Sequence, residues 1–173
     1  MTNQIMSQAI ADYIIGVLGN TSGPLDAIRL FIRGALVPGQ IPQENYPFCE
    51  VFVAEEIEGV EMTGVYYGQT YTGVITFTVT MAHETSADQL VKVGERVAHV
   101  RSYDLVKELV HAAEFELQRE AHRDMGSLSV VDEVVIQFTV SGPRVFGIDR
   151  ELRSNNWENF GVFPFEVETE RQR

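Results

Sequence analysis

Tyr71 to His83 is the segment that most restricts what this chain can fold into. Tyr71, Gly73, Ile75, Phe77, Val79 and Met81 fall on one side of an alternation, and Thr72, Val74, Thr76, Thr78 and Thr80 fall on the other. Successive side chains of a strand point to opposite faces, and β-branched residues suit both faces. The segment is therefore a strand with one apolar side. Such a strand is stable only in a sheet whose apolar face is covered. The rest of the chain must supply partner strands and a cover, and the threonine face is left for solvent or another subunit.

Two stretches with helical spacing can supply the cover. Met6, Ala9, Ile10, Tyr13, Ile14 and Val17 recur at that spacing, and Gly19-Asn20 follows as a C-terminal cap. Tyr103 to His122 is the stronger helix. Leu105, Leu109, Ala112, Ala113 and Leu117 form its apolar stripe, Val106 and Val110 widen it, and Glu108, Glu114, Arg119 and Arg123 take the other face. Ser86-Ala87-Asp88-Gln89 has the pattern of a capping box, so a third, short helix is expected over 87–99 despite Gly94. After Thr21-Ser22-Gly23-Pro24, Leu25, Ile28, Phe31 and Ile32 fit one face of a short helix, and the stretch Arg29 to Val37 also reads as a strand.

Partner strands are expected on both sides of the clear one. Tyr46 to Ala54 is apolar on both faces. Val134, Ile136, Phe138 and Val140 alternate with Glu133, Val135, Gln137 and Thr139, and Arg144 to Ile148 continue beyond the break at Ser141-Gly142-Pro143. Phe163, Phe165 and Val167 alternate with Pro164, Glu166 and Glu168. A proline removes a ladder donor, so this last strand is expected at an edge or a bulge. Residues 55–69 read as an exposed acidic hairpin or flap. The expected fold is one α+β domain over residues 1–173, with the order α-β-β-α-β-β. It has a roughly four-stranded, mostly antiparallel sheet and helices on one face.

The composition is consistent with a self-sufficient core. Hydrophobic residues make up 45%, and 10 Phe, 6 Tyr and 1 Trp supply bulk. Cys49 is the lone cysteine, which excludes an internal disulfide. In the run Phe48 to Val53 it reads as a small buried hydrophobe. No stretch reaches the ~20 apolar residues of a membrane helix, and the N-terminus lacks a secretory pattern. No membrane association is expected. The formal charge of −12 argues against tight, non-specific nucleic-acid binding. The basic residues are 11 Arg and only Lys92 and Lys107. Arginine suits ordered interfaces, and a biased coding composition would give the same skew.

Signatures of chemistry are few. The chain lacks a phosphate-binding loop, a dinucleotide fingerprint, paired cysteines of zinc spacing and the flanking glycines of a nucleophile elbow. Of the histidines at 83, 99, 111 and 122, His111 shares a helical face with Glu114 and His122 lies further along. This is not the His-Glu-x-x-His or repeated Glu-x-x-His pattern of a metal enzyme, and a solvated helix face explains it. Glu55, Glu56, Glu58 and Glu61 match no calcium-binding loop. No catalytic residue, metal or cofactor is expected.

The layout resembles the tail-terminator family of long-tailed phages, also called tail-to-head joining or tail completion proteins. The resemblance covers most of the chain. It runs from the N-terminal amphipathic helix through a Gly/Pro loop into Tyr46-Pro47-Phe48, then through the alternating strand Tyr71 to Met81 and the long helix. It ends with the strand near Phe163-Pro164-Phe165-Glu166-Val167. The flap at 55–69 and the polar stretch at 84–101 are long for a minimal member. The resemblance implies a non-enzymatic virion protein, assembled in the host cytoplasm, that forms a hexameric ring on the head-proximal end of the tail tube. Its implied partners are other copies of itself, the tail tube protein and a head–tail connector or neck protein, with duplex DNA passing without tight binding. Candidate interface residues are Glu55, Glu56, Glu58, Glu61, Tyr66 and Tyr67 of the flap, and Thr76 and Thr78 of the threonine face. Arg144, Arg150, Arg153 and Trp157 near the last turn complete the set. Two other classes fit the residues: a neck or head-completion connector, and a small metal-dependent enzyme using His111 or His122.

Overall fold

A computed structural model describes residues 5–34, 41–54, 60–61, 66–81, 90–93, 96–99, 102–150 and 157–172. In chain order the elements are α1 (Met6–Gly19), β1 (Leu30–Arg33), β2 (Phe48–Val53), β3 (Val60–Glu61), β4 (Tyr66–Met81), β5 (Leu90–Val93) and β6 (Arg96–His99). They continue with α2 (Ser102–Leu117), β7 (Ser129–Val130), β8 (Glu133–Val140), β9 (Val145–Arg150) and β10 (Trp157–Gln172). Among the described residues the main sheet has eight strands in place of the expected four. Its path is β1-β2-β4-β10-β8-β7, with β3 attached to β4 and β9 attached to β10. All pairings are antiparallel except β1 with β2.

Two long strands organise the sheet. β4 and β10, 16 residues each, pair along their whole length from Trp157↔Met81 to Gln172↔Tyr66. Each is flanked by a strand in two pieces: β2 and β3 beside β4, β9 and β8 beside β10. Pro164 therefore lies on a central strand, contrary to the expected edge position. Its carbonyl accepts from the Ser141 amide at 3.1 Å, so its donor-less nitrogen faces the gap between β8 and β9. A Cβ on Gly142 would approach Pro164 Cγ to 2.8 Å, which explains the glycine in that gap.

Both described helices pack on one face, α1 against β1 and β2, and α2 across β4 and β10. The inward residues Tyr71, Ile75, Phe77 and Val79 of β4 meet Phe163, Phe165 and Val167 of β10 and Leu105, Val106, Leu109, Val110, Ala113 and Leu117 of α2. Burying a leucine-sized side chain contributes about 1.5–3 kcal/mol, so this stripe is the main source of α2's stability. Gly161 lets the helix approach closely. A Cβ there would lie 2.6 Å from Val106 and 2.7 Å from Val110. At the end of α1, Asn20 Nδ2 donates to the Gly16 carbonyl and Thr21 Oγ1 to the Val17 carbonyl, each at 2.7 Å, taking acceptors that the helix end frees.

Several expectations are corrected. Within the expected helix over 87–99, the described residues 90–93 and 96–99 form the antiparallel strands β5 and β6, with Leu90↔His99 and Val93↔Arg96 paired. Val91, Val93 and Val97 favour strand over helix. The long helix stops at Leu117, and His122 lies in a separate 3-10 turn, Glu120–His122, so it does not extend the His111 face. Residues 21–34 contain both alternatives in reduced form, a 3-10 turn at Pro24–Ala27 and then strand β1. In β8 the inward set is Glu133, Val135 and Phe138, while Val134 and Ile136 are 40% and 41% exposed. A register shift between Glu168 and Thr169 of β10 breaks the simple alternation.

The β7–β8 turn carries backbone strain. Val130↔Glu133 closes it around Val131 and Asp132, and Val131 has φ 57°. A β-branched residue is unfavourable in that region and glycine is not. Val131 is 83% exposed, so its side chain contributes little packing. Val131→Gly is expected to raise stability by about 0.5–1 kcal/mol, the relief of strain exceeding glycine's extra unfolded-state entropy. Urea denaturation checks this, and a lower midpoint would show that the valine is not strained.

Candidate assembly surface

The surface opposite the helices is built by pairing. In an antiparallel ladder, and in the parallel pair β1–β2, partners share a face. Phe52 pairs with Val74 and Val74 with Pro164, giving one apolar row. A second row runs Ile32, Glu50, Thr76, Val162, Val145. Phe52 is 40% and Val145 53% exposed, while Ile32, Val74, Val162 and Pro164 are half-buried. A third row, Leu30, Phe48, Thr78, Phe160, Gly147, is covered from within. Phe48 and Thr78 are buried, Tyr46 packs edge-on to Phe48 at 4.9 Å, and the Phe160 ring lies where a Gly147 side chain would be.

Carboxylates surround these rows. Glu50 of β2 and Glu166, Glu168 and Glu170 of β10 share the outward face, and Glu158 there accepts a hydrogen bond from Tyr46. Among the described side chains at outward paired positions of β1, β2, β4, β8, β9 and β10 there is no lysine or arginine. Described arginines lie elsewhere. Arg33 meets Asp12 of α1 at 2.9 Å, and Arg144 makes a two-pronged contact with Glu114 of α2, its Nη2 donating to Oε1 at 2.7 Å. The Glu114 hydrogen bond raises the Arg144 pKa further.

The twelve candidate interface residues separate accordingly. Thr76 is half-buried on the outward face, and Thr78 is 6% exposed and closed off inside the protomer. Arg144 is exposed but held by Glu114. Glu61, Tyr66 and Tyr67 belong to the β3–β4 hairpin, and Arg150 and Trp157 are paired between β9 and β10. Glu55, Glu56, Glu58 and Arg153 lie outside the described residues. The sequence reading missed Phe52, Val162 and Val145. The available signal was the parity of Phe52 against Cys49 and Val51, but it requires knowing which face the helices cover.

Two polar groupings, one buried and one half-buried, were also not anticipated. The Glu133 carboxylate, 7% exposed, accepts from Tyr71 at 2.8 Å and Thr169 at 2.5 Å, joining β8, β4 and β10. Tyr13 and His122 share a 2.8 Å hydrogen bond, and His122 Nε2 lies 3.5 Å from Glu116 Oε1, beside an open groove between α1 and the end of α2. Burial and then Asp124 raise the Tyr13 pKa, so the phenol is not activated as a base or nucleophile. Burial, then Glu50, pushes the Cys49 thiol up, and the residue is 0% exposed, which is the core role expected of it. Among the described residues no group of three or more His, Cys, Asp or Glu is placed to hold a metal ion. No described helix is long and apolar enough to cross a membrane.

No protein-family model matches the sequence, and no curated protein matches it. Among solved structures, a chain from "Virion of native gene transfer agent (GTA) particle" aligns with a TM-score of 0.47 and 11% identity, over 92% of this chain and 94% of that one. A similarity at this level assigns neither a family nor a role.

Proposed function

We propose that this chain is a structural virion protein that closes the head-proximal end of a long phage tail tube as a ring of six and joins the tail to the head connector. The observation that supports the reading is the open sheet with two unlike edges. One edge is β1, and the other is β9 together with the β7–β8 hairpin. Neither β1 nor β9 has a second strand partner among the described residues. A closed ring needs a heterologous contact, one patch meeting a different patch on the next copy. Two different strand edges on opposite sides of one protomer meet that requirement, and the layout resemblance to tail terminators points the same way. Arg150 and Trp157 fall at the β9–β10 end of this scheme.

In this proposal the copies contact one another laterally, the tail tube protein lies on one side of the ring and the connector on the other. Duplex DNA passes through without being gripped, in keeping with the net charge of −12 per copy. The protein's work is assembly, with no catalytic step. Imaging of intact particles is the test. A six-fold ring at the head-proximal end of the tube is expected, and a single copy or a non-cyclic arrangement would sink the reading. Co-sedimentation separates it from a neck connector: a terminator pellets with tail tubes, whereas a neck connector stays in the supernatant.

A further inference from the structure

The outward sheet face combines an apolar centre with an acidic surround. Its centre is apolar and open to solvent, with Phe52 and Val145 the most exposed. Its surround is acidic, with Glu166 half-buried and Glu168 exposed beside the apolar rows, and no described cation shares the face. Water solvates the carboxylates but not the apolar rows, so covering the centre is favourable only for a partner that leaves the carboxylates solvated or paired.

From this we infer that the outward sheet face docks a protein segment that sets lysine or arginine side chains around an apolar ridge. Charge complementarity selects this occupant. Nucleic acid carries the same sign as the face and is repelled. The same face of a second copy would bring carboxylates against carboxylates, which is also unfavourable. Arg33, Arg119 and Arg144 are already paired to Asp12, Glu116 and Glu114, so a second copy could offer these three only by breaking those pairs. The inference stands apart from the ring, which uses the strand edges, so either can fail without the other.

The test uses the full chain and a fluorescent synthetic peptide that alternates lysine with valine and phenylalanine, read by anisotropy. Saturable binding that weakens with salt is expected. The double substitution Glu166→Gln and Glu168→Gln should weaken it by about tenfold, and Phe52→Ser by a similar factor. All three residues lie outside the main core cluster, so these variants should melt close to the wild type, and the milder Phe52→Leu should restore affinity. A lysine–serine peptide of equal charge should bind at least about tenfold more weakly, because it lacks the ridge. Equal binding of that peptide would reduce the effect to diffuse charge attraction and overturn the inference. So would binding that neither set of substitutions changes, or measurable binding of labelled duplex DNA. Self-association in the absence of peptide that Phe52→Ser abolishes would name a second copy as the occupant and overturn it as well.

Discussion

Phe165→Ala is expected to lower the unfolding free energy by about 3–5 kcal/mol. Phe165 is 0% exposed at the centre of β10. Its ring stacks on Phe138 of β8 at 5.4 Å and lies over Gly73 of β4, where it fills the volume a side chain would take. Removing it deletes buried apolar surface on three adjacent strands at once. It also leaves a void, because Gly73 has nothing to move into the space and the two long strands are held in register on both sides. Collapse is therefore limited, which puts the cost at the upper end for a cavity. The measurement is urea denaturation at unchanged slope. A loss below about 1 kcal/mol would mean that the Phe165–Phe138 stack is not the centre of the sheet's core.

Leu109→Ala should cost about 2–5 kcal/mol, while His111→Ala should cost less than about 0.5 kcal/mol. The two residues are near neighbours on α2, and alanine's higher helical propensity favours both variants by at most about 0.7 kcal/mol, small beside the contrast expected from burial. Leu109 is 0% exposed and belongs to the cluster that α2 presses onto β4 and β10, whereas His111 is exposed. Gly161 brings the helix close to the sheet, so the Leu109 site cannot gain much from a helix shift. Equilibrium denaturation of the two variants side by side decides it. The opposite ranking would overturn the orientation of α2, and with it the assignment of the opposite sheet face as the free one.

What could be read in the sequence depended on the range of the interaction behind it. The alternation in Tyr71 to Met81 and the helical stripe from Leu105 to Leu117 reflect periodicities of 2 and 3.6, which a local window contains in full. They locate β4 and α2 without reference to anything else. Pro164 shows the limit of such reasoning. Proline's missing donor is a local fact, but whether it demands a sheet edge depends on what lies beside it, and here a gap between β8 and β9 removes the conflict. The stretch 87–99 failed for a different reason. A capping-box pattern and β-branched valines competed, and pairing between the two halves of the segment favoured strands.

The same division separates the proposed role from its residues. The sequence by itself determined that this chain folds around an apolar sheet covered by amphipathic helices, because those signals are periodic and local. It also determined that the chain carries a strong net negative charge, which is a sum over residues and needs no coordinates. Only the tertiary structure decided which face of the sheet the helices occupy, that Thr78 and Arg144 are engaged within the protomer, and that Phe52 and Val145 remain uncovered beside the β10 carboxylates. The physical reason is that burial depends on contacts between residues far apart in the chain. Strand parity groups side chains into two sets, and only the packing of α1 and α2 against β1, β2, β4 and β10 decides which set is inside.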